Sequence, residues 1–323
     1  KIMKFKKAGG IEVIDNNKNK GKAASLNQAL KLCSGELVAC IDSDTYPAPD
    51  ALKKMVEQFY DKRVGASIAL VCVSEPKTFV QKVQEIEYFV AFGFWHTCLA
   101  RLNGLLVTPG PMSVYRKKAL EEIGGFDEKN ITEDMEIALN LHQHNYKIVC
   151  TTEAKIYTEV PATLPKLFKQ RLRWSRGKIF NGKKYFHMLF NSKYNDFGKF
   201  VYPMSFVVEF LSLVVVARIF FLYAEAVVKA VTSFINISGV ETNLLYNLQL
   251  YDTVTINSSV FFMATTLILW AYIIWLSFRI AREGVKLAQV PAIIVFMLFY
   301  SIFISTTYFA SMVHEIIGSE AQW

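Results

Sequence analysis

The sequence predicts an α/β domain followed by a membrane-spanning helical region, and three observations carry that reading. Short strand-type runs alternate with helix-type runs up to about residue 145. Three apolar stretches, near 202–228, 254–278 and 290–313, are each long enough to cross a hydrocarbon layer of about 30 Å, which takes roughly 20 helical residues. Charge divides the chain at the same place: residues 1–202 hold 31 Lys and Arg against 21 Asp and Glu, while residues 203–323 hold 5 against 7. At 52% hydrophobic residues and a mean hydropathy of +0.25, the chain lies above an ordinary soluble domain.

The elements follow in order. "GGIEVIDNN" (9–17) reads as a short strand, and "KAASLNQALKLC" (22–33) as an amphipathic helix ending at Ser34-Gly35. "ELVACIDSDT" (36–45) is continuous and apolar, the pattern of a buried strand, and it runs straight into acids. "PDALKKMVEQFY" (49–60) is a second helix with Pro49 and Asp50 at its start. "ITEDMEIALNLH" (131–142) is a helix that Thr132 is placed to cap. In such α/β alternation ligands sit at the carboxyl ends of the strands, the place that Asp42 and Asp44 occupy. All five cysteines, Cys33, Cys40, Cys72, Cys98 and Cys150, fall before residue 202 without metal-ligand spacing, and reduced thiols suit a cytoplasmic domain.

Each motif has a structural and a chemical reading. Acids after a strand often only cap the next helix; alternatively Asp42 and Asp44 hold a hard divalent cation that neutralises a diphosphate. A calcium loop is excluded, because its sixth position is Pro47 and its twelfth Lys53. Lys20, Gly21 and Lys22 precede a helix N-terminus, a seat for phosphate. Glu133 and Asp134 stabilise a first helical turn through its dipole, and the same dipole favours an ionised Asp134 that can act as a general base. In "KQRLRWSRGK" (169–178), Gln170, Arg173 and Trp174 share one helical face. The neighbouring Lys166, Lys169, Arg171, Arg176 and Lys178 are expected to lie on anionic headgroups. The overall basic excess suits nucleic acid, anionic lipid or a phosphorylated substrate.

In the membrane part, Arg279, Arg282 and Lys286 follow the second apolar stretch, whereas the connection 229–253 holds only Lys229. Positive charge marks the cytoplasmic side, so the soluble domain and the later connection are expected inside. Asn236-Ile237-Ser238 would then be an outside sequon. Glu209, Arg218 and Glu225 interrupt the first stretch, and Arg218 and Glu225 lie two turns apart on one face. They are expected to face protein or a polar path rather than lipid.

Taken together, Asp42-Ser43-Asp44, Thr132-Glu133-Asp134 and the Q-x-x-R-W of Gln170, Arg173 and Trp174 occur in that order and run into membrane spans. The chain resembles the processive membrane synthases of glycosyltransferase family 2, those making poly-N-acetylglucosamine, cellulose, chitin or hyaluronan. The resemblance covers roughly residues 11–200, including "NKGKAASLNQAL" and "VTPGPMSVYRKKALEEIGGFDE". It implies a GT-A-like, Rossmann-like domain over 1–160, interfacial amphipathic helices over 161–200 and about three transmembrane helices over 201–323. It further implies Asp134, with Glu133 beside it, as the catalytic base, and Asp44 with Asp42 on Mg²⁺ or Mn²⁺. Substrate binding would fall to Lys22, Asn27, Asp42, Gly110, Arg116, Gln170, Arg173 and Trp174.

The implied reaction is inverting transfer from a UDP-sugar to a growing β-linked polysaccharide, with coupled export, by a multi-pass cell-membrane enzyme whose catalytic domain is cytoplasmic. The implied partners are that donor, a polysaccharide or lipid-linked acceptor and membrane lipids, and nucleic acid is not among them. Against the family pattern, the chain opens at "KIMKFKKAGG", where the family has already completed a strand, so an N-terminally truncated sheet is expected. Two rivals stand beside the synthase: a single-transfer glycosyltransferase on a lipid-linked acceptor, and a silent membrane scaffold or export subunit.

Overall fold

The computed structural model describes residues 11–16, 18–236 and 258–318. Among them one mixed five-stranded sheet is built from β1 (Leu37–Ile41), β2 (Thr45–Pro47), β3 (Val64–Val73), β4 (Met112–Arg116) and β5 (Lys147–Thr158). The strand order is β1-β4-β3-β5-β2. Only β3 and β5 pair in parallel; β4 runs antiparallel to both β1 and β3, and β2 antiparallel to β5. Strands β1, β3 and β5 therefore share a direction, and their carboxyl ends line one edge together with the amino end of β4. That edge carries the site.

Helices cover both faces. On one, α1 (Lys22–Leu30), α5 (Lys117–Glu122) and α6 (Glu133–Gln143) enclose Ala66, Ile68, Tyr115 and Ile148. On the other, α2 (Ala51–Val56) buries Ala51 and Met55 against Ala69, Val114 and Ile156. Strand β3 is buried along its whole length, as its unbroken apolar run requires. Helix α3 (Phe79–Tyr88) carries a capping box at Thr78 and Gln81 and continues through a π-helical turn, Phe89–Trp95, into α4 (His96–Arg101).

Three expectations are corrected. Residues 11–16 form no strand, since they join no ladder of the sheet among the described residues. Strand β1 is an edge strand rather than a buried one, and Ile41 is 49% exposed. Thr132 does stand at the N-cap position of α6, but its hydroxyl makes no cap bond and instead accepts from Asn181 Nδ2 at 3.0 Å.

The long basic helix α7 (Leu164–Lys184) leads into the apolar helices α8 (Tyr202–Asn236) and α9 (Ser258–Ile280). The third apolar helix combines α10 (Val290–Val295), a π-helical turn at Phe296–Tyr300 and α11 (Ser301–Ile317). Three helices, Phe197–Thr232, Phe261–Ile280 and Leu287–Ile317, are thus long and apolar enough to cross a membrane. The connection between the second and third lies on the sheet domain, through Lys155–Glu283 and Arg282–Glu153, each at 2.7 Å. Glu209 pairs with Lys178 at 2.5 Å, but among the described residues Arg218 and Glu225 pair with no other helix. Both are exposed among the described residues: Glu225 pairs with Lys229 on its own helix at 2.7 Å, and Arg218 lies 5.7 Å from the Phe221 ring. The sequon at Asn236 runs beyond the described residues.

Candidate active site

The chain leaves β1 at Ile41 and at once presents Asp42, whose backbone N–H donates to the Gly110 carbonyl at 3.2 Å. That bond fastens the end of β1 to the loop entering β4. Glycine leaves room there for two side-chain ends, because a Cβ at residue 110 would stand 2.7 Å from Lys22 Nζ and press on the Asp42 carboxylate, both of which would have to shift. The same loop is tied to the first turn of α6. Thr108 donates from both its N–H and its hydroxyl to the Asp134 carbonyl, each at 3.0 Å, and accepts from the Tyr115 hydroxyl at 2.9 Å. Acids from two distant segments thereby face one small cleft lined by Lys22, Asp42, Gly110, Glu133 and Asp134.

Lys22 opens α1 and reaches into the gap, 2.6 Å from Asp42 and 2.9 Å from Glu133. Burial works against its charge, but Glu133 and Asp42 outweigh it and hold the ammonium above its ordinary pKa. Asp134 is half-buried in the cleft wall, its Oδ1 accepting from the Met135 N–H at 2.9 Å. Desolvation first, then the Glu133 charge, pushes its carboxyl up to about 6 against the pull of Lys22 and Arg173. Desolvation and a like charge thus oppose the helix dipole that favours the ionised carboxylate.

Helix α7 brings Arg173 of the third motif toward the cleft. Gly177 packs against Thr132 so closely that a Cβ would stand 2.8 Å from the threonine Cβ. Asn181 bonds Asn130 and Thr132 from the same side of the helix. This seam sets Arg173 near enough to Asp134 to lower its pKa, and leaves Arg173 exposed and Trp174 37% exposed.

Two sequence-predicted residues stand elsewhere. Arg116 lies at the far end of β4, where its guanidinium donates to the carbonyls of Phe59, Asp61 and Val64 and so fastens a turn. Asn27 holds the segment before α6: its amide donates to the Phe126 carbonyl at 2.8 Å and to Glu128 at 3.0 Å, and accepts from the Phe126 N–H. Both amide ends are therefore engaged by protein. The headgroup expectation also fails for three of its five basic residues, because Arg171, Arg176 and Lys178 pair with Glu87, Glu315 and Glu209. Those partners are remote in sequence, so no local signal announced them.

Asp42 and Asp44 have the donor chemistry of hard-cation ligands. Among the described residues no cluster of three or more His, Cys, Asp or Glu side chains is placed to hold a metal alone. Two carboxylates beside open space fit a hard ion such as Mg²⁺ or Mn²⁺, which takes one or two carboxylates and completes its shell with substrate phosphates and water. Asp44 is exposed, and among the described residues Asp42 has only the Lys22 ammonium to displace. The residues fit. A larger cavity of about 430 Å³ lies between the sheet edge and residues 283–289, but the convergent acids are in the smaller cleft.

The sequence profile of "Glycosyl transferase family group 2" matches residues 37–310, a span containing both aspartates, Asp134, the Q-x-x-R-W helix, the first two apolar helices and most of the third. The chain is a group 2 glycosyltransferase. Among its relatives is the poly-beta-1,6-N-acetyl-D-glucosamine synthase of Staphylococcus epidermidis, 32% identical over 177 residues, 54% of this chain and 43% of that one. The synthase of Staphylococcus aureus strain COL is 34% identical over 181 residues, with the same coverage. This glycosyltransferase chain therefore spans less than half the length of the curated relatives it matches. A solved mannosyltransferase from Pyrobaculum calidifontis, PcManGT in complex with GDP-Man and Mn²⁺, has the same fold. It aligns over 99% of this chain and 74% of its own, with a TM-score of 0.56 at 15% identity. The GT-A-like class expected for this group 2 glycosyltransferase is the one observed.

Proposed function

We propose that the protein transfers a sugar from a UDP-sugar, with inversion, to the growing end of a β-linked polysaccharide and passes the product outward through the membrane. The observation that carries this reading is the cleft in which Asp42, Glu133 and Asp134 face Lys22, with Arg173 close enough to act on Asp134. Asp134 is a carboxylate with a raised pKa, the exposed Asp44 follows Asp42 by two residues and is read with it as a hard-cation pair, and Trp174 is an exposed aromatic beside Arg173 in sequence. A divalent cation, when bound at Asp42 and Asp44, supplies neutralisation of the diphosphate charge. Asp134 takes the proton from the acceptor hydroxyl, and the same environment that raises its pKa makes it the stronger base. Arg173 grips phosphate oxygens and Trp174 stacks on the acceptor sugar, since a ring face binds sugars without reading each hydroxyl. The relatives' name as synthases and the apolar helices beside α7 support a polymer over a single transfer.

The deciding experiment incubates membranes carrying the protein with labelled UDP-N-acetylglucosamine and sizes the product. Polymer is expected; a single sugar on a lipid would overturn the synthase reading. Trp174→Ala should lose polymer while keeping donor affinity, and Arg173→Ala should weaken the donor first.

A further inference from the structure

One buried guanidinium lies under the exposed motif. Arg171 is 3% exposed, one residue from Gln170 and three from Trp174. Its Nη2 donates to Glu87 at 2.6 Å, its Nη1 to Gln170 Oε1 at 2.7 Å and its Nε to the Tyr300 hydroxyl at 3.4 Å. The Tyr300 hydroxyl in turn donates to Glu87 at 2.5 Å, so it accepts one proton and gives another. Above this plane the Trp174 ring centroid lies 4.0 Å from the guanidinium carbon. A delocalised cation at that distance both stacks on an indole and offers five donors in a fixed plane.

Arginine has no acceptor, so the atom that Gln170 turns toward it must be its carbonyl oxygen, which directs the amide NH₂ away from Arg171. The indole rests on the guanidinium by one face, and the residue is 37% exposed. Glu87 closes α3 beside the π-helical turn Phe89–Trp95, and Tyr300 closes the π-helical turn of the third apolar helix. Such turns are rare and recur at functional sites.

We propose that Arg171, held by Glu87 and Tyr300, is the positioning residue that orients Gln170 and Trp174 for the acceptor and couples their orientation to the third apolar helix. This rests on the reading of Trp174 as the acceptor platform. Lysine cannot replace it, because an ammonium gives no planar surface for the ring and cannot reach three partners in one plane. The Tyr300 hydroxyl holds both members of the pair, accepting from Arg171 Nε and donating to Glu87, so its removal loosens carboxylate and guanidinium together.

The test labels the protein with 5-fluorotryptophan and follows the Trp174 ¹⁹F resonance, identified by its loss in Trp174→Phe. The Trp174 resonance should move in both Arg171→Lys and the milder Tyr300→Phe. In the same variants the acceptor KM should rise about tenfold with donor KM unchanged, the scale of coupling between directly contacting side chains. Adding Arg171→Lys to Trp174→Ala should cost little more than Trp174→Ala alone. A resonance unmoved in Tyr300→Phe, or fully additive losses in the double variant, overturns the proposal even if Arg171→Lys fails to fold. The resonance needs no turnover, so a Trp174→Ala protein that still makes normal polymer refutes the platform reading separately.

Discussion

The raised pKa of Asp134 makes the acid side of the pH–rate profile a direct readout of the cleft. An ordinary aspartate at 3.8 is about 94% ionised at pH 5, whereas one at about 6 is ionised to roughly a tenth there and almost fully at pH 7.5. If Asp134 must be ionised to take the acceptor proton, kcat/KM for the donor should fall about tenfold from pH 7.5 to pH 5. The sign of each neighbour can be checked independently. Glu133 penalises a second negative charge, so Glu133→Gln should move the midpoint down; Lys22 favours it, so Lys22→Met should move the midpoint up. Asp134→Asn should remove the limb altogether and cost between about 10²- and 10⁴-fold. The assay is initial-rate transfer in membranes at fixed divalent cation, with the free-enzyme profile read from kcat/KM. An acid limb with its midpoint near 4, or one that stays put in Glu133→Gln, would refute the reasoning.

Removing divalent cations with EDTA, or making Asp44→Ala, should abolish turnover while leaving the thermal unfolding temperature in place, since Asp44 is exposed and supports no packing; full turnover in excess EDTA would contradict it. Gly177→Ala should force α7 off Thr132, lowering stability by about 1–3 kcal/mol and depressing transfer. Thermal unfolding read beside activity checks both effects. Lys178→Met should leave the Glu209 carboxylate without its cation at the start of α8. The loss should exceed that of the double variant Lys178→Met with Glu209→Gln, which detergent-solubilised unfolding can compare.

Much of this arrangement was legible because its signals are local. Apolar run lengths located the three long helices within several residues, and the strand leading into Asp42 and the helix opening at Glu133 stand where their patterns placed them. What the sequence hid is pairing at a distance. Asn27 and Arg116 have the polarity of binding residues, yet both close turns of the backbone, and only the fold shows where their donors go. Arg171 looked like one more surface charge among five, because Glu87 is 84 positions away and Tyr300 is 129. Gly177 carried no readable reason until Thr132 was placed against it. The edge position of β1 was equally invisible, since an apolar run reads the same at an edge as at the centre of a sheet.

The bridge that Lys22 makes between Asp42 and Glu133 also fixes the electrical state in which the cleft waits. With Asp42, Asp44, Glu133 and Asp134 ionised, Lys22 and Arg173 balance only half of the negative charge. A diphosphate arriving alone therefore enters a field of its own sign, and it must also take Lys22 away from carboxylates that already hold it. A divalent cation arriving with it removes both obstacles. On the proposed reading, electroneutrality in this cleft would make cation and donor mutually dependent visitors: each should tighten the other's binding by the same factor, and neither should be retained well alone.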